Sequence, residues 1–363
     1  MKYYQSKNVY EAALERIEYL YNEFPNVEVS ISGGKDSTAL MHLCIEVARK
    51  LNRLPVRAYW LDQEAEWRQT VEYMRLVQAM PEVAFSWYQI PFDIFNASSH
   101  DDDMLHCWRE GDEWIRPKEA NSIKENTYGV NRFHKFLDGY LGFLYPDEKA
   151  CQLGGVRADE SYVRFLAVSS ATSYKHITYG AYLYSSPKHF LFYPIYDWRV
   201  DDVWHYISSN NLLYNKIYDA FFQYGIHPRA MRVSNLTHEV AVKNLMTVQD
   251  LEQDTWDSIV SRLDSANSIK HLQRAAITCP RELPFMFSTW REYRDFLLEK
   301  MITDEKVRNK MSRKFANCDK KFVGTRYETG IYMTEIETII RNDHYFTMLN
   351  DKLAICRNKN TKS

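Results

Sequence analysis

The segment Val27-Glu28-Val29-Ser30-Ile31-Ser32-Gly33-Gly34-Lys35-Asp36-Ser37-Thr38-Ala39-Leu40-Met41 constrains the fold more than any other part of this 363-residue chain. A β-branched apolar run stops at two glycines and passes directly into an apolar segment able to form a helix. That order reads as strand, tight turn, helix. Glycines at such a turn let main-chain N–H groups approach a phosphate at the positive end of a helix dipole. The ligand class this implies is a phosphorylated one, a nucleotide first. The plainer alternative is a Gly-Gly turn with a serine or aspartate capping the helix.

The pattern on either side supports an α/β scaffold. Helical spacing covers Val9 to Phe24, ending at Pro25, and the first strand runs from Val27 to Ile31. A helix over about Ser37 to Asn52, a strand Val56 to Leu61, a helix Trp67 to Met80 and a strand Ala84 to Ile90 come next. Strands alternating with helices make βαβ units. The expected fold is an open, mostly parallel twisted sheet with helices on both faces. Regular alternation is lost from about 92 to 146, a long acidic and aromatic insertion of the kind found on a substrate side. A buried strand, Ala150 to Val156, and a helix, Ala158 to Thr172, resume the pattern. Strands His176 to Ala181 and Phe190 to Ile195, joined through Ser185-Ser186-Pro187, and a helix Asp201 to Asn210 complete it. After about residue 246 the periodicity is helical: Leu251 to Leu263, Trp290 to Met301, Asp304 to Phe315 and Met333 to Ile340. The expected organisation is an α/β domain, 1–245, and a helical C-terminal region, 246–363, with a frayed tail from Arg357.

The loop is neither a Walker A loop nor a dinucleotide fingerprint, because Asp36 separates Lys35 from the hydroxyl and Gly-x-Gly-x-x-Gly is absent. Ser32 and Ser37 offer hydroxyls, Gly33 and Gly34 expose amides, and Lys35 adds a cation. Asp36 can hold Mg2+ or cap the helix. Three further segments belong with it. The second strand ends at Leu61-Asp62-Gln63-Glu64-Ala65-Glu66, on the edge where an open parallel sheet binds ligands. There Asp62 can take Mg2+ or a polar group of the nucleotide, and Glu64 and Glu66 can position a reacting group or simply face water. The next strand ends at Gly154-Gly155-Val156-Arg157-Ala158-Asp159-Glu160-Ser161, where Arg157 can meet phosphate oxygens or pair with Asp159 or Glu160. The stretch Pro194-Ile195-Tyr196-Asp197-Trp198 is read as structural, with Asp201 capping the following helix. Arg229 and Arg232 can meet an anionic substrate or local carboxylates.

Taken in order, these motifs resemble the PP-loop ATP pyrophosphatase superfamily, and within it the PAPS reductase-like proteins. Ser-Gly-Gly-Lys-Asp-Ser matches the PP-loop, and Gly155-Val156-Arg157-Ala158-Asp159-Glu160-Ser161 matches Gly-x-Arg-x-x-Glu-Ser in full. The insertion and the helical C-terminus look most like the immunoglobulin-binding regulator A type, whose relatives often sit beside a ParB/sulfiredoxin-like partner. The resemblance implies an adenine nucleotide alpha-hydrolase-like fold and binding of ATP, or of PAPS or APS, with Mg2+. It implies nucleotide contacts from Ser32 to Ser37, Leu61, Asp62, Gly154, Gly155 and Arg157, with Lys35, Asp62 and Arg157 catalytic and Asp36 and Asp62 as metal ligands. Substrate contacts are expected at Glu64, Glu66, Glu160, Arg229 and Arg232.

The chain departs from the thiol-dependent reductases. Their Glu-Cys-Gly-Leu/Ile-His segment has no counterpart; Tyr224-Gly225-Ile226-His227 puts a tyrosine where the cysteine would stand, and a tyrosine cannot replace a thiolate toward sulfur. The cysteine pairs that hold an iron–sulfur cluster in some relatives are also missing. The reading that remains is cleavage of the α–β bond of an adenine nucleotide to activate a substrate. Its rivals are a nucleotide sensor acting through its partner and a nucleic-acid modification enzyme.

Composition bounds these choices without deciding among them. The formal net charge is −2, which argues neither for nor against nucleic acid. The six cysteines include no Cys-x-x-Cys, so neither a disulfide framework nor a zinc ribbon is expected. No apolar run is long enough for a bilayer and the first residues lack a signal-peptide pattern, so a cytoplasmic protein is expected. His100, Asp101, Asp102, Asp103, His106 and Cys107 can bind metal, line a substrate loop or be solvated. The basic strings Lys306 to Lys314 and Lys320-Lys321 can touch nucleic acid or form a solvated helix face.

Overall fold

A computed structural model describes residues 6–96, 104–169, 172–183, 186–233, 235–237, 242–263 and 279–360. The chain forms two compact units, Met1–Asp93 with His106–Ser234, and Ile94–Leu105 with Asn235–Ser363.

The first unit is built on a six-stranded sheet. Helix α1 (Val9–Glu23) starts on an Asn8–Glu11 capping box. It leads into β1 (Asn26–Ser30), then α2 (Lys35–Lys50), β2 (Val56–Leu61), α3 (Arg68–Gln78) and β3 (Val83–Tyr88). Two short strands of the insertion, β4 (Phe92–Phe95) and β5 (Met104–Cys107), pair with each other. The insertion ends in α4 (Phe133–Leu144), and β6 (Ala150–Leu153) re-enters the main sheet. A 3-10 turn (Ala158–Glu160), α5 (Tyr162–Ser169), β7 (Gly180–Tyr182), β8 (His189–Phe192), α6 (Val200–Ser209) and α7 (Ile217–Gln223) follow.

The order across the sheet is β3-β2-β1-β6-β8-β7, parallel except for the antiparallel edge strand β7. This is the expected α/β sheet with one antiparallel edge. The chain moves outward from β1 to β2 and β3, then returns to the other side of β1 as β6. The topological switch point therefore falls between β1 and β6, where an open α/β sheet has its ligand crevice. The run Val27, Val29, Ile31 and the α2 residues Leu40, Leu43, Cys44 and Val47 are all buried, which fixes β1 and α2 in the middle of the core. Arg16 clamps Asp197 with bonds of 2.8 and 2.7 Å, and the Trp198 indole donates to the Val9 carbonyl at 3.0 Å. The Asp197-Trp198 segment is thus tied to α1.

Local chemistry explains three differences from expectation. The helix expected over Ala158 to Thr172 breaks at Ser161, which is extended (φ −161°, ψ 158°) and whose hydroxyl accepts the Arg164 amide at 3.2 Å. Serine caps α5 there instead of continuing a helix. Asp202, not Asp201, accepts the Arg199 amide at the start of α6, at 2.7 Å. The residues from Arg357 to Asn360 continue a helix, where a frayed tail was expected.

The second unit contains α8 (Val242–Leu251), α9 (Gln253–Arg262), α10 (Trp290–Met301), α11 (Glu305–Phe322), α12 (Glu328–Ile340) and α13 (Thr347–Asn360). Along α11, Val307, Met311, Phe315, Cys318 and Phe322 are buried at helical spacing. Its interior also holds an ionic knot, in which Arg294 bonds Asp319 at 2.8 Å and Glu335 at 2.7 Å. The units part at Ser234–Asn235 instead of near residue 246, and Ile94–Leu105 goes with the helices. Phe95 packs edge-on against His344 and Tyr345, and its carbonyl accepts the Thr237 hydroxyl at 3.4 Å.

Candidate functional site

The turn after β1 is shaped by its own serines. The Ser37 hydroxyl donates to the Gly34 carbonyl at 2.9 Å and accepts the Ser32 amide at 3.2 Å. Gly33 has φ +73°, and a β-carbon on it would stand 2.7 Å from the Thr70 methyl. Both the left-handed backbone and the close approach require glycine. Gly34 is the N-cap of α2 with no side-chain cap, so the first turn of the helix is not closed by a neighbouring serine or aspartate. Two distant residues hold the turn. The Asn215 amide donates to the Gly33 carbonyl at 3.1 Å and to the Thr70 hydroxyl at 2.9 Å. The Tyr218 hydroxyl accepts the Lys35 amide at 3.0 Å, and its ring lies 5.5 Å from the Lys35 ammonium.

The turn after β6 lies against it. A β-carbon on Gly155 would be 2.7 Å from the Ser37 amide nitrogen, so the two loops touch backbone to backbone. Arg157, 4% exposed, donates through Nε to Asp36 Oδ1 at 2.6 Å, while Asp36 Oδ2 lies 3.3 Å from the Lys35 ammonium. Glu160 sits between two arginines, 3.4 Å from Arg157 and in direct contact with Arg164. Arg232, exposed, reaches the Glu160 carbonyl at 3.5 Å. Burial lowers the pKa of Lys35, as do the charges of Arg157 and Arg232, while Asp36 opposes the shift. The same causes, burial first and then Arg232, lower Arg164. Lys35, Arg157, Arg164 and Arg232 thus outnumber the carboxylates among them, Asp36 and Glu160. Lys35 and Arg157 are buried and Arg164 and Arg232 lie at the surface, and such an excess of positive charge beside helix-terminal amides is a place for a polyanion.

The acidic end of β2 behaves differently from expectation. Asp62, fully buried, accepts the Glu64 amide at 3.0 Å, the Trp87 indole at 2.8 Å, the Gln89 amide at 3.0 Å and the Arg116 guanidinium. Glu64, at φ +62°, accepts the amides of Trp108 at 2.8 Å and Ile115 at 3.1 Å. Leu61 is buried at the end of β2. Burial and the charge of Asp62 push the Glu66 carboxyl up to about 8, so it is mainly protonated at neutral pH. Asp36 and Asp62 differ in their room for a Mg2+ ion. Each oxygen of Asp36 faces a cation, and Asp62 has no lone pair to spare. The four donors on Asp62 make it an anchor for the β2 end.

Among the other expected residues, Gly154 closes against the Tyr193 ring and Arg229 is exposed, its amide donating to the His227 ring. Of the histidine-aspartate cluster, residues 100–103 lie outside the described residues. His106 bonds Asp93 at 2.6 Å, and the buried Cys107 thiol reaches the Gln63 carbonyl at 3.4 Å. Among the described residues no group of three or more His, Cys, Asp or Glu is arranged to hold a metal, and no helix is long and apolar enough to cross a membrane. Burial pushes up the thiols of Cys44, Cys151, Cys279 and Cys318.

Sequence reasoning missed Arg164 and Arg116, and it placed Asn215-Lys216-Ile217-Tyr218-Asp219 in the family pattern without a role for Asn215 or Tyr218. Arg164 carried a faint signal, four residues after Glu160 and seven after a phosphate-type arginine.

A family model for the phosphoadenosine phosphosulfate reductase domain matches residues 26–224, and a domain of unknown function (DUF3440) matches residues 225–360. The uncharacterized protein YbdN of Escherichia coli K12 is 29% identical over 329 residues, covering 84% of this chain and 79% of its own. Solved structures with similarity include the phosphoadenylyl-sulfate reductase of Candida auris in a phosphate complex, at 15% identity, 60% of this chain, 93% of its own and TM-score 0.31. The FMN adenylyltransferase of Candida glabrata with FMN and the ATP analog AMPCPP aligns at 11% identity, 65% of this chain, 66% of its own and TM-score 0.39. The U34-tRNA thiolase NcsA of Methanococcus maripaludis, with its 4Fe-4S cluster, aligns at 12% identity, 73% of this chain, 81% of its own and TM-score 0.30. Likeness at such low TM-scores supports no conclusion about activity.

Proposed function

The chain belongs to the phosphoadenosine phosphosulfate reductase domain family, and from that membership we propose that its α/β unit binds an adenine nucleotide, ATP first, in the β1/β6 crevice and cleaves the α–β phosphate bond to activate a second substrate. The observation that carries this reading is the backbone contact between the Gly155 loop and Ser37, with Arg157 and Lys35 on either side of Asp36. Two glycine turns from adjacent parallel strands converge with a surplus of cations at the switch point.

The chemistry is that of the grouping itself. An acceptor attacks the α-phosphorus, the bond from the α-phosphorus to the bridging oxygen breaks, and pyrophosphate leaves with the electron pair. Lys35, Arg157 and the amides of the first turn of α2 meet the charge growing on the leaving group, in a site that needs little rearrangement. Arg164 and Glu160 hold Arg157 in place. Asn215 and Tyr218 fix the turn. Thiol-dependent reduction is not part of this reading, because the sequence has a tyrosine, Tyr224, where the reductases' Glu-Cys-Gly-Leu/Ile-His segment has its cysteine.

The test is incubation of the full chain with ATP and Mg2+, following pyrophosphate and AMP, with Lys35→Ala and Arg157→Ala as controls. Release that both substitutions abolish supports the reading. Binding of ATP, APS or PAPS in a calorimeter without any pyrophosphate would instead favour a nucleotide sensor working with a ParB/sulfiredoxin-like partner.

A further inference from the structure

Part of the insertion folds back over the end of β2 and makes a second polar cluster within the same unit. The Trp108 indole donates to the Asp62 carbonyl at 2.8 Å, and Glu64 holds the amides of Trp108 and Ile115. This wrapping brings Arg116 onto Asp62 and lays its guanidinium over the Trp108 ring, 5.0 Å from the centroid. The Trp114 ring stands 5.9 Å from that of Trp108, with the Lys118 ammonium 4.5 Å above it.

Arg116 uses only Nη2 on Asp62. Its Nε and Nη1 are shut off from solvent and have no hydrogen-bond partner among the described residues. A buried charged donor without an acceptor is costly, so native proteins rarely leave one. The neighbours cannot supply the acceptor. Both oxygens of Asp62 are already taken twice, and no described side chain bonds the two free nitrogens. No described side chain fills that place, which leaves it to a water or to the oxygen of a ligand.

We propose that residues 107–118 form the acceptor-substrate pocket of the enzyme, in which Arg116 takes a carboxylate of the acceptor and Lys118 stands by as a second cation. The carboxylate class comes from charge. Asp62 and Glu64 already lie against the pocket, and a dianionic phosphate would meet more repulsion there than a monoanion does. A carboxylate oxygen also makes a strong, charge-assisted contact with a single guanidinium N–H. The assignment of the ligand as acceptor rests on the nucleotide reading above; the carboxylate site does not.

Calorimetric titration of the full-length protein with benzoate, and separately with inorganic phosphate at equal ionic strength, tests it. Wild type binds benzoate; Arg116→Lys, which retains the charge facing Asp62, binds it at least about tenfold more weakly, the loss of one charge-assisted contact. Lys118→Gln, away from Asp62, weakens benzoate as well and decides the matter should Arg116→Lys fail to fold. Absence of benzoate binding to wild type, equal binding by Arg116→Lys and Lys118→Gln, or Arg116-dependent binding of phosphate in its place would overturn the proposal. A protein that binds benzoate through Arg116 but never ATP would retain the carboxylate site and lose the nucleotide reading.

Discussion

Gly155 and Ser37 approach so closely that a single β-carbon on the first would lie 2.7 Å from the amide nitrogen of the second and 2.8 Å from the Asp36 carbonyl carbon. Backbone cannot yield as a flexible side chain can. Gly155→Ala is therefore expected to push the two loops apart and to weaken ATP by about tenfold or more, roughly 1.4 kcal/mol. Gly154→Ala meets only the Tyr193 ring at 3.2 Å and should cost less. Calorimetry on both variants checks the order; a larger loss for Gly154→Ala would refute it.

Arg157 and Asp36 act as one unit with Lys35, so their substitutions should not add. Asp36→Asn and Arg157→Gln are each expected to weaken ATP, and the double variant should fall short of the sum by about 1–3 kcal/mol. A double-mutant cycle on ATP affinity measures this. Strict additivity would mean that the 2.6 Å bond between them contributes nothing to the bound state.

Asp62 tests anchoring against metal binding. Asp62→Ala removes the acceptor of four donors and leaves the Arg116 charge buried, at an expected cost of about 3–5 kcal/mol in urea unfolding. Adding Arg116→Met should recover part of that loss, since the stranded charge goes with it. Near-native stability of Asp62→Ala, with a lost Mg2+ requirement, would instead make Asp62 a metal ligand.

Glu66 gives the fold a pH dependence with a definite sign. Its carboxyl titrates at about 8 in the folded chain, against an ordinary value of 4.5. Between these values the native state keeps a proton that the unfolded chain has lost, so the stability it confers is full below about 4.5 and is lost as pH rises toward 8. Glu66→Gln should flatten the urea midpoint across that window. Glu335, raised by burial to about 7 in the helical unit, adds a second and narrower decline that Glu335→Gln removes. A midpoint in wild type that rises from pH 5 to 8 in the same manner as in both variants would contradict the assignment.

The scaffold was legible where periodicity and small-residue turns are local signals. Strand β2 falls on Val56–Leu61 as read from the alternation of its residues, and α2 follows the Gly-Gly turn. Both phosphate-type loops could be found because glycine and arginine occur at fixed spacing after a buried run. The partners of those loops could not be found so. Asn215 and Tyr218 touch the first loop across 182 and 183 residues, and the segment they share resembles the family without showing what it touches. Asp62 looked like a ligand because a carboxylate at the edge of a parallel sheet usually faces solvent. Here the insertion brings Arg116 across it, a contact that only the tertiary fold creates. Ser161 was read through as helix because its neighbours favour helix, whereas its hydroxyl is used as a cap.

The chain passes between the two units three times, after Asp93, after Leu105 and after Ser234. A cut after Ser234 therefore leaves the helical portion without Ile94–Leu105, a piece of its own structure, and leaves the remainder carrying a fragment foreign to it. The helical portion cannot be grafted onto another enzyme as a simple tail. Any recombination that preserves both halves has to move Ile94–Leu105 together with the C-terminal helices, so the two are expected to be inherited as one block.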